Sequence, residues 1–229
     1  MEHSSDSGEI KSNELPIGDE VLAEWQNIIN LLAEIMEVPA ALIMRVHPPV
    51  IEVFVANESE DNPYKVGGQE HLPGLYCNWV MSNDTRLLVP NALKDPEWED
   101  NPDVKLNMIS YIGLPLKWPN GDMFGTICAL DNQENYYNDN YVKLLDSFKN
   151  IVSKYLELVW KNYELERARD KIRELKEFLV ICAACKKIKI QEDKWIPLVS
   201  FYKDKDGTKF SHGLCPVCLE KYNDLSAED

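Results

Sequence analysis

Long apolar runs are missing from this chain of 229 residues. The longest, such as 39–44 (Pro-Ala-Ala-Leu-Ile-Met), are far too short to span a bilayer. The N-terminus has neither the basic nor the apolar region of a secretory leader, so a soluble, cytoplasmic protein is expected. Basic charge is scarce in the first part. Residues 1–150 hold 25 Asp and Glu against 9 Lys and Arg, whereas 151–229 are almost neutral with 14 against 15. Such an acidic body is repelled by nucleic acid and by anionic lipid, which argues against both as partners. Also missing are a P-loop, G-x-S-x-G, H-E-x-x-H and a kinase signature, and no helix-turn-helix is evident. The chain has 4 histidines, none of them in 151–179, so that helix carries no phosphoacceptor motif.

Cysteine is present in a pattern. The 6 cysteines of a reducing compartment are better read as ligands or free thiols than as disulfides. Four of them form two knuckles, Cys182-Ala-Ala-Cys185 and Cys215-Pro-Val-Cys218, separated by 29 residues. That is ample chain for a small β-hairpin or loop. Each C-x-x-C turn points both sulfurs to one side, so two facing turns make a tetrahedral four-sulfur cage suited to Zn²⁺. The competing reading is a dithiol/disulfide pair in each knuckle. A cage filled by four protein ligands has no open position, which makes the metal structural. Its binding would drive folding of this short module by roughly 10–16 kcal/mol. His212, three residues before Cys215, either replaces one thiolate, donates a hydrogen bond behind the ligands, or faces solvent. Lys186 and Lys187 would offset the cage's negative charge.

The periodicities divide the chain. Residues 1–16 are polar and aperiodic, a disordered lead-in. A helix is expected over 18–37, with Val21, Leu22, Trp25, Ile28, Ile29, Leu32, Ile35 and Met36 recurring at three- and four-residue spacing and Pro39 past its end. Two strands follow at 41–47 and 50–56, joined at Pro48-Pro49. A short helix is expected over 74–82, a short strand over 86–89 and a loop over 91–102. A hairpin pairs 111–117 with 123–130 around Asn120-Gly121. A long helix starts near Asn138. On it Ile151, Leu158, Leu165, Ile172 and Leu179 recur every seven residues, with Ala168 and Leu175 at matching d positions and Lys154 and Lys161 as poor ones. This pattern predicts a parallel two-stranded coiled coil, hence a homodimer through 151–179. The alternative is a helix that packs its stripe on its own domain. The fold class expected is α+β: an antiparallel sheet flanked by helices, a long coiled-coil helix and a small zinc-ribbon-like module. The parts are a lead-in (1–16), a folded domain (17–150), a heptad helix (151–179) and a zinc-binding module (180–229).

The run Tyr-Ile-Gly-Leu-Pro-Leu from Tyr111, followed by Gly-Thr-Ile-Cys-Ala-Leu-Asp from Gly125, resembles the last two sheet strands of GAF domains, the small-molecule-sensing modules of signalling proteins. The segment from Gly74 to Trp98 is similar to the part of that family that roofs the ligand cavity. The resemblance covers about 17–160. It implies a ligand, of unknown identity, between the sheet and the loops of 70–110, where Tyr76, Cys77, Trp79, Trp98 and Tyr111 are the candidate contacts. The alternative is that these side chains fill a core. His71 and Cys77 are weak anchors for a haem or a bilin. Some members of the fold resemble free methionine sulfoxide reductases, which use a reactive and a resolving cysteine. Cys77 lies near one such position, but 105–111 has no cysteine, and Cys128 reads as a small buried hydrophobe.

The C-terminal run from Ile181 resembles a cysteine module found at the ends of bacterial and archaeal signalling proteins. The match rests on Cys182, Cys185, Lys186, Lys187, Ile188, Trp195, Phe210, Ser211, His212, Gly213, Cys215, Pro216 and Cys218. Val180 stands where that pattern has a proline. The whole then implies a non-catalytic sensor or adaptor that relays ligand or redox state through a dimeric helix to a zinc module. That module would dock a kinase or response regulator. A reductase using Cys77, or a dimeric scaffold with an occluded pocket, are the alternatives.

Overall fold

Apolar residues occupy both phases of the two-residue period in the central strand sequences, and both phases are buried. A computed structural model describes residues 12–177, 182, 186–191 and 194–201 of the chain. Six strands, β1 (Ala40–His47), β2 (Val50–Ala56), β3 (Gln69–His71), β4 (Leu87–Val89), β5 (Ser110–Lys117) and β6 (Met123–Asp131), form one sheet in the order β3-β2-β1-β6-β5-β4. Every neighbouring pair is antiparallel. Helices α1 (Asp19–Met36), α2 (Tyr76–Asn83) and α3 (Asp139–Glu177) complete the α+β architecture. Of these elements only β3 has no sequence signal. Its Gln69, Glu70 and His71 pair with Glu52, Ile51 and Val50 through the backbone alone.

One face of the sheet carries Ala41, Ile43, Val55, Ile112, Leu114, Ile127 and Ala129 and is covered by α1 and α3. Helix α1 buries Trp25, Ile29, Leu32 and Met36 there. Asp19 and Glu20 in its first turn suit the positive end of the helix dipole, and Glu37 closes it in a left-handed conformation. Trp25, Phe54, Phe124 and Trp118 meet edge to face at centroid separations of 5.5–6.1 Å. The Arg45 guanidinium lies over Phe54 and Phe124, at 5.2 and 5.6 Å from their centroids, and donates to the Leu15 carbonyl at 2.9 Å. Residues 12–16, expected within a disordered lead-in, are therefore packed. Ser12–Glu14 is a 3-10 turn, Leu15 is buried, and the Ser12 hydroxyl donates to Asp122 at 2.6 Å. Residues 1–11 lie outside the described part.

The other face carries Ala40, Leu42, Met44, Ile51, Val53, Cys128 and Leu130 and is covered by α2 and by loops. Alternation lets the central strands serve both faces, and bulges shift its phase. The β1–β2 register shifts between Ile43 and Met44, and β5–β6 shifts between Leu116 and Lys117.

The chain divides into two compact units, Met1–Leu165 and Glu166–Asp229. In the first, α3 buries Leu145, Phe148, Val152 and Leu156 against the sheet. The heptad positions Ile151, Leu158 and Leu165 point elsewhere and are 42, 56 and 68 % exposed. Ile172, on the part of α3 in the second unit, is 52 % exposed. Leu179 lies outside the described residues. Lys154 and Lys161, the poor seam positions, both pair with Glu157, at 2.9 and 2.7 Å. The second unit also contains a hairpin of β7 (Ile188–Gln191) and β8 (Lys194–Ile196). No described helix is long and apolar enough to cross a membrane.

Gly125 is where the two central strands approach most severely. A Cβ there would sit 1.8 Å from the Met44 carbonyl oxygen, at a φ of +154°. Gly125→Ala is expected to destabilise the fold by about 2–4 kcal/mol, read as a lower urea midpoint at unchanged slope.

Candidate ligand cavity

Helix α2 has eight residues and buries only Tyr76, Cys77 and Val80. An element this short cannot cover a sheet face that spans six strands, and loops must complete the roof. A cavity of about 510 Å³ remains under them. That size suits a small organic ligand. Its floor is Leu42, Met44, Ile51, Val53, Tyr111, Cys128 and Leu130 from the sheet. The roof and mouth are Leu75 and Cys77, the segment between Pro63 and Glu70, and the 3-10 turn Pro102–Leu106.

Among the five expected contact residues, Cys77 and Tyr111 line this cavity and the other three do not. Tyr76 stacks on Tyr111 at a centroid distance of 4.6 Å and tilts against Trp98 at 5.0 Å, so the aromatic rings satisfy one another behind the wall. Trp79 packs on the same apolar cluster from the outward side of α2. The buried Tyr76 hydroxyl has no hydrogen-bond partner among the described residues. His71 is exposed on β3 and does not line the cavity. Tyr111 lies across Gly113, where an added Cβ would come within 2.0 Å of the phenolic oxygen.

Cys128 is buried, as expected of a small hydrophobe, but it shares the cavity wall with Cys77, and the two thiols interact. Cys77 Sγ accepts from the Thr126 hydroxyl at 3.2 Å and lies 3.6 Å from the Tyr111 hydroxyl. Hydrogen bonding from Cys128 favours the Cys77 thiolate, burial opposes it, and the Thr126 and Tyr111 hydroxyls favour it again. The Cys128 thiol is pushed up, first by that same bond and then by burial. The sequence spacing of 77 and 128 gives no hint of this meeting, because α2 and β6 are joined only by the folded sheet.

Asp103 is the polar residue that sequence inspection passes over. Asn101-Pro102-Asp103 looks like an ordinary turn. In the fold, buried Asn101 caps the 3-10 turn by accepting from the Asp103 amide at 2.9 Å, and its own amide donates to the Gly74 carbonyl at 2.8 Å. This fastens the turn to the start of α2 and sets Asp103 on the cavity wall. The Tyr64 hydroxyl donates to Asp103 Oδ1 at 2.7 Å. Burial pushes the Asp103 carboxyl up to about 6, against the Tyr64 hydrogen bond and with help from Glu70.

Of the four expected metal ligands, Cys185, Cys215 and Cys218 lie outside the described residues, as does His212. Cys182 lies at the start of a tight reversal. Its carbonyl accepts from the Lys186 amide at 3.0 Å, its amide donates to the Lys187 carbonyl at 2.9 Å, and Lys186 is left-handed. The chain then enters β7. Among the described residues no group of three or more potential ligands is gathered for a metal.

A family model described as GAF domain matches residues 20–156. Among solved structures, the blue-light absorbing form of the Thermosynechococcus elongatus PixJ GAF domain is similar at a TM-score of 0.53 and 15% identity, over 69% of this chain and 98% of that one. A free methionine-R-sulfoxide reductase from Neisseria meningitidis, in complex with its substrate, has a TM-score of 0.52 at 14% identity, over 62% of this chain and 81% of its own. The GAF domain of an Acinetobacter phosphoenolpyruvate-protein phosphotransferase has a TM-score of 0.51 at 14% identity, over 63% and 86%. At these identities the likeness is one of fold. No curated protein matches the chain.

The raised Asp103 carboxyl has a testable sign. An acid held up in the folded state keeps its proton to higher pH than in the unfolded chain. Folding stability therefore falls as pH climbs from the ordinary carboxylate range through about 6. Asp103→Asn is expected to remove that fall. It should gain on the order of 1–3 kcal/mol relative to the original chain between acidic and neutral pH, measured by urea titrations of the ligand-free protein.

Proposed function

The chain belongs to the GAF family through residues 20–156, and on that premise we propose that it is a non-catalytic sensory protein. Its cavity holds a small ligand, and α3 relays the occupied state. The observation that carries this reading is the hollow between sheet and roof, open at its mouth and bounded by an apolar floor with a few polar groups. A ligand acts on an output only through different affinities for two states of the protein. The roof, built from a short helix and a 3-10 turn pinned by Asn101, is the part able to respond. Helix α3 packs on the opposite face of the same sheet.

The homodimer belongs to this proposal. Ile151, Leu158, Leu165 and Ile172 are large aliphatic residues left in solvent at a spacing of seven, which a second α3 would cover in a parallel coil. The zinc module belongs to it as well, supported by the paired knuckles and by the reversal at Cys182. Cys182, Cys185, Cys215 and Cys218 would hold Zn²⁺ as a structural ion, and the module would dock a signalling partner, a kinase or response regulator. Binding of such a partner equally well by a chain ending at Leu179 would remove the docking role.

Native mass spectrometry of the full chain is expected to give a dimer with one zinc per protomer and a co-purified small molecule. The pair Leu158→Asp and Leu165→Asp is expected to weaken the dimer by at least about a hundredfold and leave zinc in place. A double variant that remains a dimer, or a native mass with no metal, would overturn the corresponding part.

A second reading rests on the meeting of Cys77 and Cys128 at the cavity wall. Here the protein reduces a small sulfoxide. The Cys77 thiolate would attack the sulfoxide sulfur, and the sulfoxide oxygen would pass to Cys77 as a sulfenic acid while the thioether leaves. Cys128 would then displace water to form a disulfide, which an external thiol would reset. Free methionine sulfoxide with a dithiol reductant separates the two readings. The sensory one expects no turnover, and turnover that is lost in Cys77→Ser would favour the reductase.

A further inference from the structure

Asp103 brings a charge into the cavity for which the described residues supply no counterpart. Burying a carboxylate is costly unless a cation or several donors compensate it. The side-chain donor to Asp103 is the Tyr64 hydroxyl, and among the described residues no ion pair reaches it. Lys65 and Lys105 also line the cavity, but both are exposed and neither forms an ion pair with Asp103 among the described residues. Glu70, which acts on Asp103 across the mouth, has the same sign. Apart from Tyr64, Gln69 and the thiols of Cys77 and Cys128, the rest of the wall is apolar, with the Tyr111 ring at its back.

An anion placed against Asp103 would meet its carboxylate with Glu70 acting from the same side, and the lysines Lys65 and Lys105 are exposed. A neutral apolar ligand would seal Asp103 away from water with the Tyr64 hydroxyl as its side-chain donor and no cation beside it. A ligand with a positive nitrogen removes the cost and gains a charge-assisted hydrogen bond. We propose that the cavity takes a small amphipathic cation, a primary amine or an amidine, with its nitrogen against Asp103 and its apolar body along Leu42, Met44, Val53 and Leu130. This inference rests on reading the cavity as a ligand site.

The ligand needs Asp103 ionised, and an amine keeps its charge across the neutral range. Affinity therefore rises as pH passes upward through about 6. The titratable groups facing Asp103 are Tyr64 and Glu70 from the β2–β3 side, Tyr76 and Cys77 from α2, and Tyr111 and Cys128 from the sheet. The three tyrosines and Cys128 are all pushed up and stay neutral there. Ionisation of Cys77 would also favour a cation, and Asp103→Asn separates its share.

The experiment uses the full chain with matched probes: 2-phenylethylamine against 2-phenylethanol, and benzamidine against benzamide, with affinities from ligand-observed NMR. Each cation is expected to bind at least about tenfold tighter than its neutral partner near pH 7.5. In Asp103→Asn that advantage is expected to shrink to within about twofold while the neutral probes bind as before. In the original chain it is expected to shrink between about pH 7.5 and pH 5, which decides the matter if the variant does not fold. Neutral probes binding as well as the cations, or an advantage that survives Asp103→Asn, would overturn the role of Asp103 and leave the cavity reading intact. Failure of every probe, charged or neutral, to bind would overturn both.

Discussion

The pairing of β1 with β6 at the centre of the sheet is the constraint on which the rest depends. Both strands are covered on both faces, so nearly every side chain from Ala40 to Val46 and from Phe124 to Leu130 is buried. Alternate residues must then serve two different environments. Gly125 lets the strands close up at one end, and bulges shift phase where a residue is needed on the other face. The two faces are covered unequally. The long apolar stripes of α1 and α3, with four aromatic rings between them, fill one side. The other side has a two-turn helix and loops, which leave a hollow.

That hollow gives ordinary residues unusual properties. Asp103 and the thiols of Cys77 and Cys128 would be unexceptional in water. Enclosed together, they titrate away from their usual ranges, chiefly through loss of solvent for Asp103 and through mutual hydrogen bonding for the thiols. The Tyr76–Tyr111 stack holds the back wall rigid, and Asn101 ties the roof turn to the start of α2. The cavity thus has a floor built from the sheet and a roof built from a short helix, loops and a 3-10 turn.

Helix α3 serves two masters. Its inner stripe of Leu145, Phe148, Val152 and Leu156 belongs to the sheet, so movement of the sheet face bears on it directly. Its heptad aliphatics are a separate stripe in solvent. A coiled-coil period and packing on its own domain look like rival explanations of one helix. The packed stripe and the exposed heptad stripe are two faces of it, because residues 151 and 152 lie about 100° apart around the axis.

Residue patterning by itself determined the elements: the α1 stripe, the β1–β2 and β5–β6 hairpins, the start of α3 and the α+β class. These follow from local periodicity and turn chemistry, which are written in neighbouring residues. The resemblance of 111–131 to GAF strands likewise lay in contiguous sequence. The edge strand β3 did not, because backbone pairing with β2 makes it. Nor did the packing of Leu15, which depends on Arg45 reaching it from β1. At the cavity, aromatic content pointed to Tyr76, Trp79, Trp98 and Tyr111, yet only Tyr111 of these lines the wall, with aliphatic residues, Asp103 and two thiols, while Tyr76 and Trp98 pack behind it. Cys77, Asp103 and Cys128 are separated by tens of residues and carry no shared motif. Only the tertiary structure decided that they face one enclosed space, since that depends on which strand phase each occupies and on what the short roof leaves uncovered.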